Sequence, residues 1–334
     1  MTLRRVGLAA LVALTLAVPT ASTGARRDMI VFVRQDPHAA GLNAGVDLWT
    51  IAAAGGRARR LVGGNGWDET PAWSPDGNRI AFARSVYAPG EPDIALVGVD
   101  VWTVAADGRG RRNLTRDAGS TSPVWSPGGR RIAFARGDGV LVVRRDGSGK
   151  TRIARRDDPD TPAWSPDGRM VAFTAPGELR IVGGGGGGQR RLARGADTTW
   201  SPAWSPDGSR IAFTGRRTVE GVFVVSARGG GPRLLVRDYV EPAWSPKDRW
   251  VAVVRQGTRR EAGLFLVDAN SRRPERLTRG LDTQPSWSPD GRRLVFRRGG
   301  LIGDIYVVGA DGRGLRNLTR TSRLDERDPA WRPR

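Results

Sequence analysis

Pro71-Ala72-Trp73-Ser74-Pro75-Asp76-Gly77-Asn78-Arg79-Ile80-Ala81-Phe82 decides the fold, because the chain keeps repeating it. The phrase returns at residues 123–134, 162–173, 202–213, 242–253 and 285–296, at spacings of 52, 39, 40, 40 and 43 residues. A period of 40 to 45 residues with four short strands per unit is that of a propeller blade. Around the phrase each unit parses alike. A short Trp-bearing strand comes first, as at 72–74. Ser-Pro-Asp-Gly then turns the chain: Pro fixes φ, Asp bonds the backbone ahead of it, and Gly accepts a positive φ. A β-branched second strand (79–83), a third (100–104) and a fourth (113–115) follow, the last two joined by a Gly-rich turn such as Ala106-Asp107-Gly108. The apolar runs are too short for helices.

The chain ends complete the count. Pro329-Ala330-Trp331 opens a seventh copy that stops at Arg334, and residues 29–33, 47–51 and 60–62 supply its second, third and fourth strands. The expected fold is therefore all-β: a seven-bladed β-propeller of four-stranded blades, one blade closed by strands from both termini. That closure leaves no free sheet edge between the ends. The seven Trp residues (Trp73, Trp125, Trp164, Trp204, Trp244, Trp287 and Trp331), one per blade, read as blade-to-blade packing. The Asp of each turn reads as a turn former, since Gly128 and Lys247 replace it in two copies. Six consecutive glycines at 183–188 fall where other blades turn between third and fourth strands, and read as a hairpin.

Composition removes several chemistries. With no cysteine there is no disulfide, thiolate zinc site or cysteine nucleophile. The single histidine, His38, permits neither a His-dependent triad nor a multi-histidine metal site, and no cofactor is expected. Arg4 and Arg5, an apolar run at 6–18 and small residues from Ala21 to Ala25 have the layout of a secretory signal. Residues 1–25 are thus expected to be removed near 22–25, leaving 26–334 as one exported propeller, periplasmic or extracellular, monomeric and without a transmembrane segment. The formal charge of +20 rests almost wholly on arginine, Lys150 and Lys247 being the only lysines. That skew reads as base composition, and an exported chain is not expected to have nucleic acid as its partner.

The repeated W-S-P-D-G-x-x-I-A-F, followed by D-I-Y-V-V and R-x-L-T, resembles the TolB-like propeller repeat, a relative of the WD repeat. The resemblance covers nearly all of 28–334. It implies an envelope binding module whose channel mouth accepts short partner segments. Two departures stand beside it. The family's type member has an α/β domain before its propeller, which is not expected here, and its ring is usually counted as six blades. Related propellers occur in prolyl oligopeptidase-type peptidases, but the separate hydrolase domain and the histidine such catalysis needs are not expected in this chain.

If the Trp strand is innermost, as the resemblance implies, the Ser-Pro-Asp-Gly turns and third-to-fourth turns share one face. Arginines crowd that face, among them Arg57, Arg109, Arg111, Arg144 and Arg313. The opposite face, the channel mouth, collects the acids preceding each Trp strand. Its candidate binding residues are Asp68, Glu69, Asp160, Asp197, Asp238, Glu241, Asp282, Asp325 and Asp328. Two long second-to-third loops, 35–46 and 85–99, lie on the same face and add His38, Tyr87, Glu91 and Asp93, since loops on a rigid scaffold are where binding residues concentrate. The leading expectation is a non-enzymatic scaffold binding a protein or peptide partner in the cell envelope. An anionic envelope polymer or glycan on the arginine face, and a carboxylate-based glycan-cleaving enzyme, are the alternatives.

Overall fold

A computed structural model describes residues 28–36, 45–64, 66–87, 96–196, 202–216, 219–247 and 249–333. Among them the chain forms seven antiparallel four-stranded blades. Blade 1 is ordered β28 (Asp325–Trp331), β1 (Met29–Gln35), β2 (Val46–Ala52), β3 (Arg59–Val62), so both ends of the chain build it. Blade 2 is β4 (Trp67–Trp73), β5 (Arg79–Tyr87), β6 (Leu96–Ala105) and β7 (Arg112–Asn113). The others repeat that order: blade 3 from β8 (Ser120–Trp125) to β11 (Thr151–Arg155), blade 4 from β12 (Ala163–Trp164) to β15 (Arg190–Ala196), and blade 5 from β16 (Ala203–Trp204) to β19 (Arg233–Arg237). Blade 6 runs from β20 (Tyr239–Trp244) to β23 (Pro274–Arg276), and blade 7 from β24 (Asp282–Trp287) to β27 (Arg316–Asn317).

The Ser-Pro-Asp-Gly turn folds as its residues dictate. In blade 2 the Ser74 Oγ–H donates to Asp76 Oδ1 at 2.5 Å, the Arg79 N–H donates to Ser74 Oγ at 2.9 Å, and Gly77 takes φ +64°. Blades 4 and 5 repeat the arrangement through Ser165–Asp167 and Ser205–Asp207. Hydroxyl and backbone donors hold these aspartates below the usual carboxylate range, Asp207 at about 2. They are turn formers, as the sequence implies. The glycine run also forms a hairpin, with the Gly186 N–H on Gly183 O at 2.8 Å.

The core lies between blades, not within them. Seven hydrophobic clusters each join two neighbouring blades, and each holds one tryptophan of the repeat. Trp331 packs with Ile30 and Phe32 of blade 1 and with Val295 and Ile305 of blade 7. The indole N–H of six tryptophans reaches a backbone carbonyl of the preceding blade: Trp73 to Ala330 at 3.1 Å, Trp125 to Ala72 at 3.2 Å, Trp287 to Ala243 at 2.9 Å, Trp331 to Ser286 at 3.1 Å, and likewise Trp164 and Trp204. The acceptor is always the residue just before that blade's own tryptophan. Arginines opening a second strand add a cation–π contact to the next blade's indole, Arg131 over Trp164 at 4.8 Å and Arg293 over Trp331 at 4.9 Å.

One expectation needs correction. The 85–99 segment is not loop throughout, because β5 continues to Tyr87 and pairs with β6 as far as Leu96. Ring closure yields the first prediction. Trp331 is 5% exposed, so Trp331→Ala should cost ~3–5 kcal/mol, a fall in melting temperature of roughly 5–15 °C. Deleting residues 329–334 also removes the Ile30–Trp331 and Val31–Ala330 pairing and should lower it at least as far. An unchanged melting curve by circular dichroism would refute closure by the last strand.

Candidate functional site: the channel ring

The Trp strands are innermost, and a bulge in five of the seven shapes the channel. Register shifts fall between Glu69 and Ala72, Thr121 and Val124, Val240 and Ala243, and Thr283 and Ser286, with the counterpart in β28 opposite Val31 and Val33. Each bulge ejects an x-Pro pair, two and three residues before the tryptophan. Proline has no N–H to lend the ladder, which makes a bulge its natural place. The residue before it turns left-handed: Thr70, Ser122, Glu241, Gln284 and Asp328 have φ between +50° and +56°. Five non-glycine residues in this costly region, at equivalent positions, are a repeated device of the ring.

These residues line a central cavity of about 490 Å³. Its chemistry differs from side to side. Blades 2, 3 and 4 contribute Thr70, Ser122 and Thr161 to the lining; blades 6, 7 and 1 contribute Glu241, Gln284 and Asp328. Asp160 joins the lining, and Pro71, Pro123, Pro242, Pro285 and Pro329 form an apolar collar. No Arg or Lys lies among the described lining residues, in a chain of net charge +20. Gln284 ties the ionisable side together. Its backbone N–H donates to Glu241 Oε2, its Nε2–H to Asp328 Oδ1 at 2.6 Å, and its Oε1 accepts the Asp328 N–H at 2.9 Å. Burial pushes the Glu241 carboxyl up to about 7, against the Gln284 N–H. Burial also raises Asp328, with Arg327 opposing.

Of the candidates from the sequence, Asp160, Glu241 and Asp328 thus meet in the channel. Asp68 and Asp282 do not, which corrects the picture of a continuous acidic rim. Five residues before the tryptophan, the side chain faces the second strand of its own blade and meets an arginine there. The Arg84 Nη1–H donates to both Asp68 oxygens at 2.8 and 3.1 Å, and Arg298 Nε–H and Nη2–H bind Asp282 at 2.5 and 2.9 Å. Glu326, not singled out in the sequence, is paired with Arg34 at 2.6 Å in the same way. Asp68 and Asp282 are 0% and 1% exposed, so they are interior ion pairs. Burial pushes Asp68 up to about 7, Arg84 pulling the other way.

Asp325 and Glu69 stay at the mouth but are neutralised there. Asp325 takes Arg297 at 2.7 Å and Arg327 at 3.2 Å, and Arg327 reaches Glu69 at 2.9 Å. Asp238 is exposed in the turn before β20. Tyr87 ends β5, and its side chain, like His38, Glu91, Asp93 and Asp197, lies outside the described residues. Sequence reading passed over Gln284, Thr70, Ser122 and Thr161. Their signal is positional, the third residue before each repeated tryptophan, and a search for acids does not see it.

Seven such blades around an open polar channel define a closed β-propeller of the W-S-P-D-G type. The profile of the TolB beta propeller domain matches residues 99–334, and the chain belongs to that family. It is 33% identical over 78 residues to the Tol-Pal system protein TolB 1 of Novosphingobium aromaticivorans, a stretch that is 23% of this chain and only 15% of that relative. TolB from Acinetobacter baumannii superposes with a TM-score of 0.61 at 19% identity, covering 93% of this chain and 68% of that one. An oligogalacturonate lyase from Vibrio parahaemolyticus does so at 0.62 and 14% identity, covering 88% and 86%. At such identities these likenesses show the fold alone.

Two substitutions separate the two kinds of acid. A carboxyl with a folded pKa near 7 and an unfolded value of 4.5 adds stability at low pH and loses it as pH rises from about 4.5 through 7. Glu241→Gln is permanently neutral and should melt above the wild type at pH 8, with little or no advantage at pH 4.5; a difference independent of pH would rule out Glu241 as the titrating group. Asp282→Ala strands the Arg298 guanidinium and should cost ~3–5 kcal/mol at neutral pH, measured by denaturant unfolding.

Proposed function

We propose that this protein is an exported, non-enzymatic scaffold of the cell envelope whose channel receives a segment of a protein partner. The observation that carries the reading is the channel itself: a cavity of about 490 Å³ at the centre of a rigid ring, lined by polar groups and a proline collar. Small-molecule and peptide sites are concave, mostly apolar and fixed by a few polar groups, and this cavity has that make-up. Kinship with a TolB of the Tol-Pal system supports an envelope partner, and the signal-like residues 1–25 support export with cleavage near 22–25. Part of the arginine crowd on the opposite face is engaged in structure. Arg131, Arg210 and Arg293 stack on the next blade's tryptophan, which leaves fewer free cations for an anionic polymer.

A photo-crosslinking residue at Thr161 in the channel, compared with one at the exposed Arg109 on the turn face, tests this in envelope extracts. The Thr161 probe should capture one discrete protein that the Arg109 probe does not, and Ser122→Trp, which fills the cavity, should abolish the capture. Equal capture from both faces, or capture indifferent to Ser122→Trp, would remove the channel as the binding site.

A further inference from the structure

The channel is lined by carboxyl groups without a lining cation, and one carboxyl oxygen has no partner at all. Glu241 lines the cavity, is 5% exposed, and its Oε1 has no hydrogen-bond partner. Buried polar groups are almost always satisfied, and an orphaned carboxylate oxygen is among the costlier exceptions. Facing it, the groups that could answer are few. Gln284 of blade 7 gives one backbone N–H to the other oxygen, Asp328 of blade 1 adds a second negative charge, and Arg297 acts only through space. From blade 5, Thr214 is occupied in accepting the Glu241 backbone N–H at 3.1 Å. Asp328 accepts from Gln284 Nε2 and from the Thr70 backbone N–H; around it stand Arg327, Glu69 and Asp325, and Arg327 already serves both of those acids.

We propose that the channel takes a protonated amine on an aliphatic stem, seated between Glu241 and Asp328 with its stem along the proline collar. An ammonium has three donors and no acceptor, which matches a wall of acceptors lacking a cation. The terminal torsion of a glutamate is soft, so the Glu241 carboxylate turns an oxygen to the ligand at little cost. The apolar collar suits methylene groups better than the hydration shell of a small ion. Among the described residues, moreover, no group of three carboxylates or imidazoles is placed to hold a metal. On the opposite side the lining is Thr70, Ser122 and Thr161 with a third carboxylate, Asp160, which accepts the Thr161 N–H at 2.6 Å; this polar side fits the peptide groups following a lysine side chain or an amino terminus. The inference deepens the channel reading and rests on it for one point, that the cavity admits a ligand.

Titration of the full-length mature protein with n-hexylammonium chloride and with sodium hexanoate, by calorimetry, tests the assignment. The amine should bind and the carboxylate should not. Glu241→Gln and Asp328→Asn, each near-isosteric and checked for an intact melting transition, should each weaken the amine about tenfold or more. Affinity should rise roughly tenfold from pH 6 to pH 8, because the amine stays charged while Glu241 gives up its proton. N-acetyl-lysine amide and glycylglycine amide then distinguish a side-chain ammonium from an amino terminus. Amine binding unchanged in Glu241→Gln, hexanoate binding equally well, or displacement of the amine by equimolar calcium would overturn the proposal. If the amine fails to bind while the Thr161 probe still captures its partner, only the ammonium assignment falls. Amine binding without capture by that probe would remove the protein partner and leave the amine site.

Discussion

The indole of one blade lying against the edge strand of the blade before it is the contact on which everything else depends. Each inner strand is the channel-side edge of its sheet, and an edge offers unpaired backbone groups. The tryptophan of the next blade covers that edge with a flat apolar surface and gives its N–H to one of its carbonyls, as Trp125 does to Ala72. Since every hydrophobic cluster spans two blades, no blade owns a core. Each blade therefore depends on both neighbours, and the pairing of β28 with β1 supplies the tryptophan of the last interface.

The same contact shapes the channel. Carbonyl and tryptophan must sit at a fixed height in each blade, so the residues just before them are held in a fixed relation to the axis. The x-Pro bulge there turns one side chain inward in five blades, at the cost of a left-handed backbone at Thr70, Ser122, Glu241, Gln284 and Asp328. A constant scaffold with one variable inward position in each of these blades is a means of composing a channel residue by residue. In this chain the composition is lopsided, with hydroxyls on blades 2 to 4 and carboxyl or amide groups on blades 6, 7 and 1.

Most of the fold was legible in the sequence because its determinants are local and repeated. Trp, Ser-Pro-Asp-Gly and the β-branched run carry the strand, the turn and the next strand in a dozen residues, and six copies remove the ambiguity of any one. The site was legible only in part, because acidity is visible in a sequence and register is not. Asp68 and Asp328 both precede a Trp strand motif, five and three residues ahead of the tryptophan. The first faces Arg84 on the neighbouring strand and is interior; the second is ejected by the bulge and faces the channel. Two residues of offset, with a bulge between, decide the outcome. Reading the position instead of the charge would also have found Gln284, which joins the two carboxyls without being charged.

That contrast bears on what the channel acids are for. At the position five residues before the tryptophan this protein supplies a guanidinium for each buried acid: Arg84 for Asp68, Arg298 for Asp282, Arg34 for Glu326. With 54 basic residues available, a partner for Glu241 would have been easy to place, yet its Oε1 has none. Local rules are broken without local compensation where function needs the group unspent. Asp68, Asp282 and Glu326 meet an arginine within their own blade, whereas no arginine or lysine lines the channel and Glu241 Oε1 stays unpartnered, so the missing cation is one that the ring leaves to its ligand.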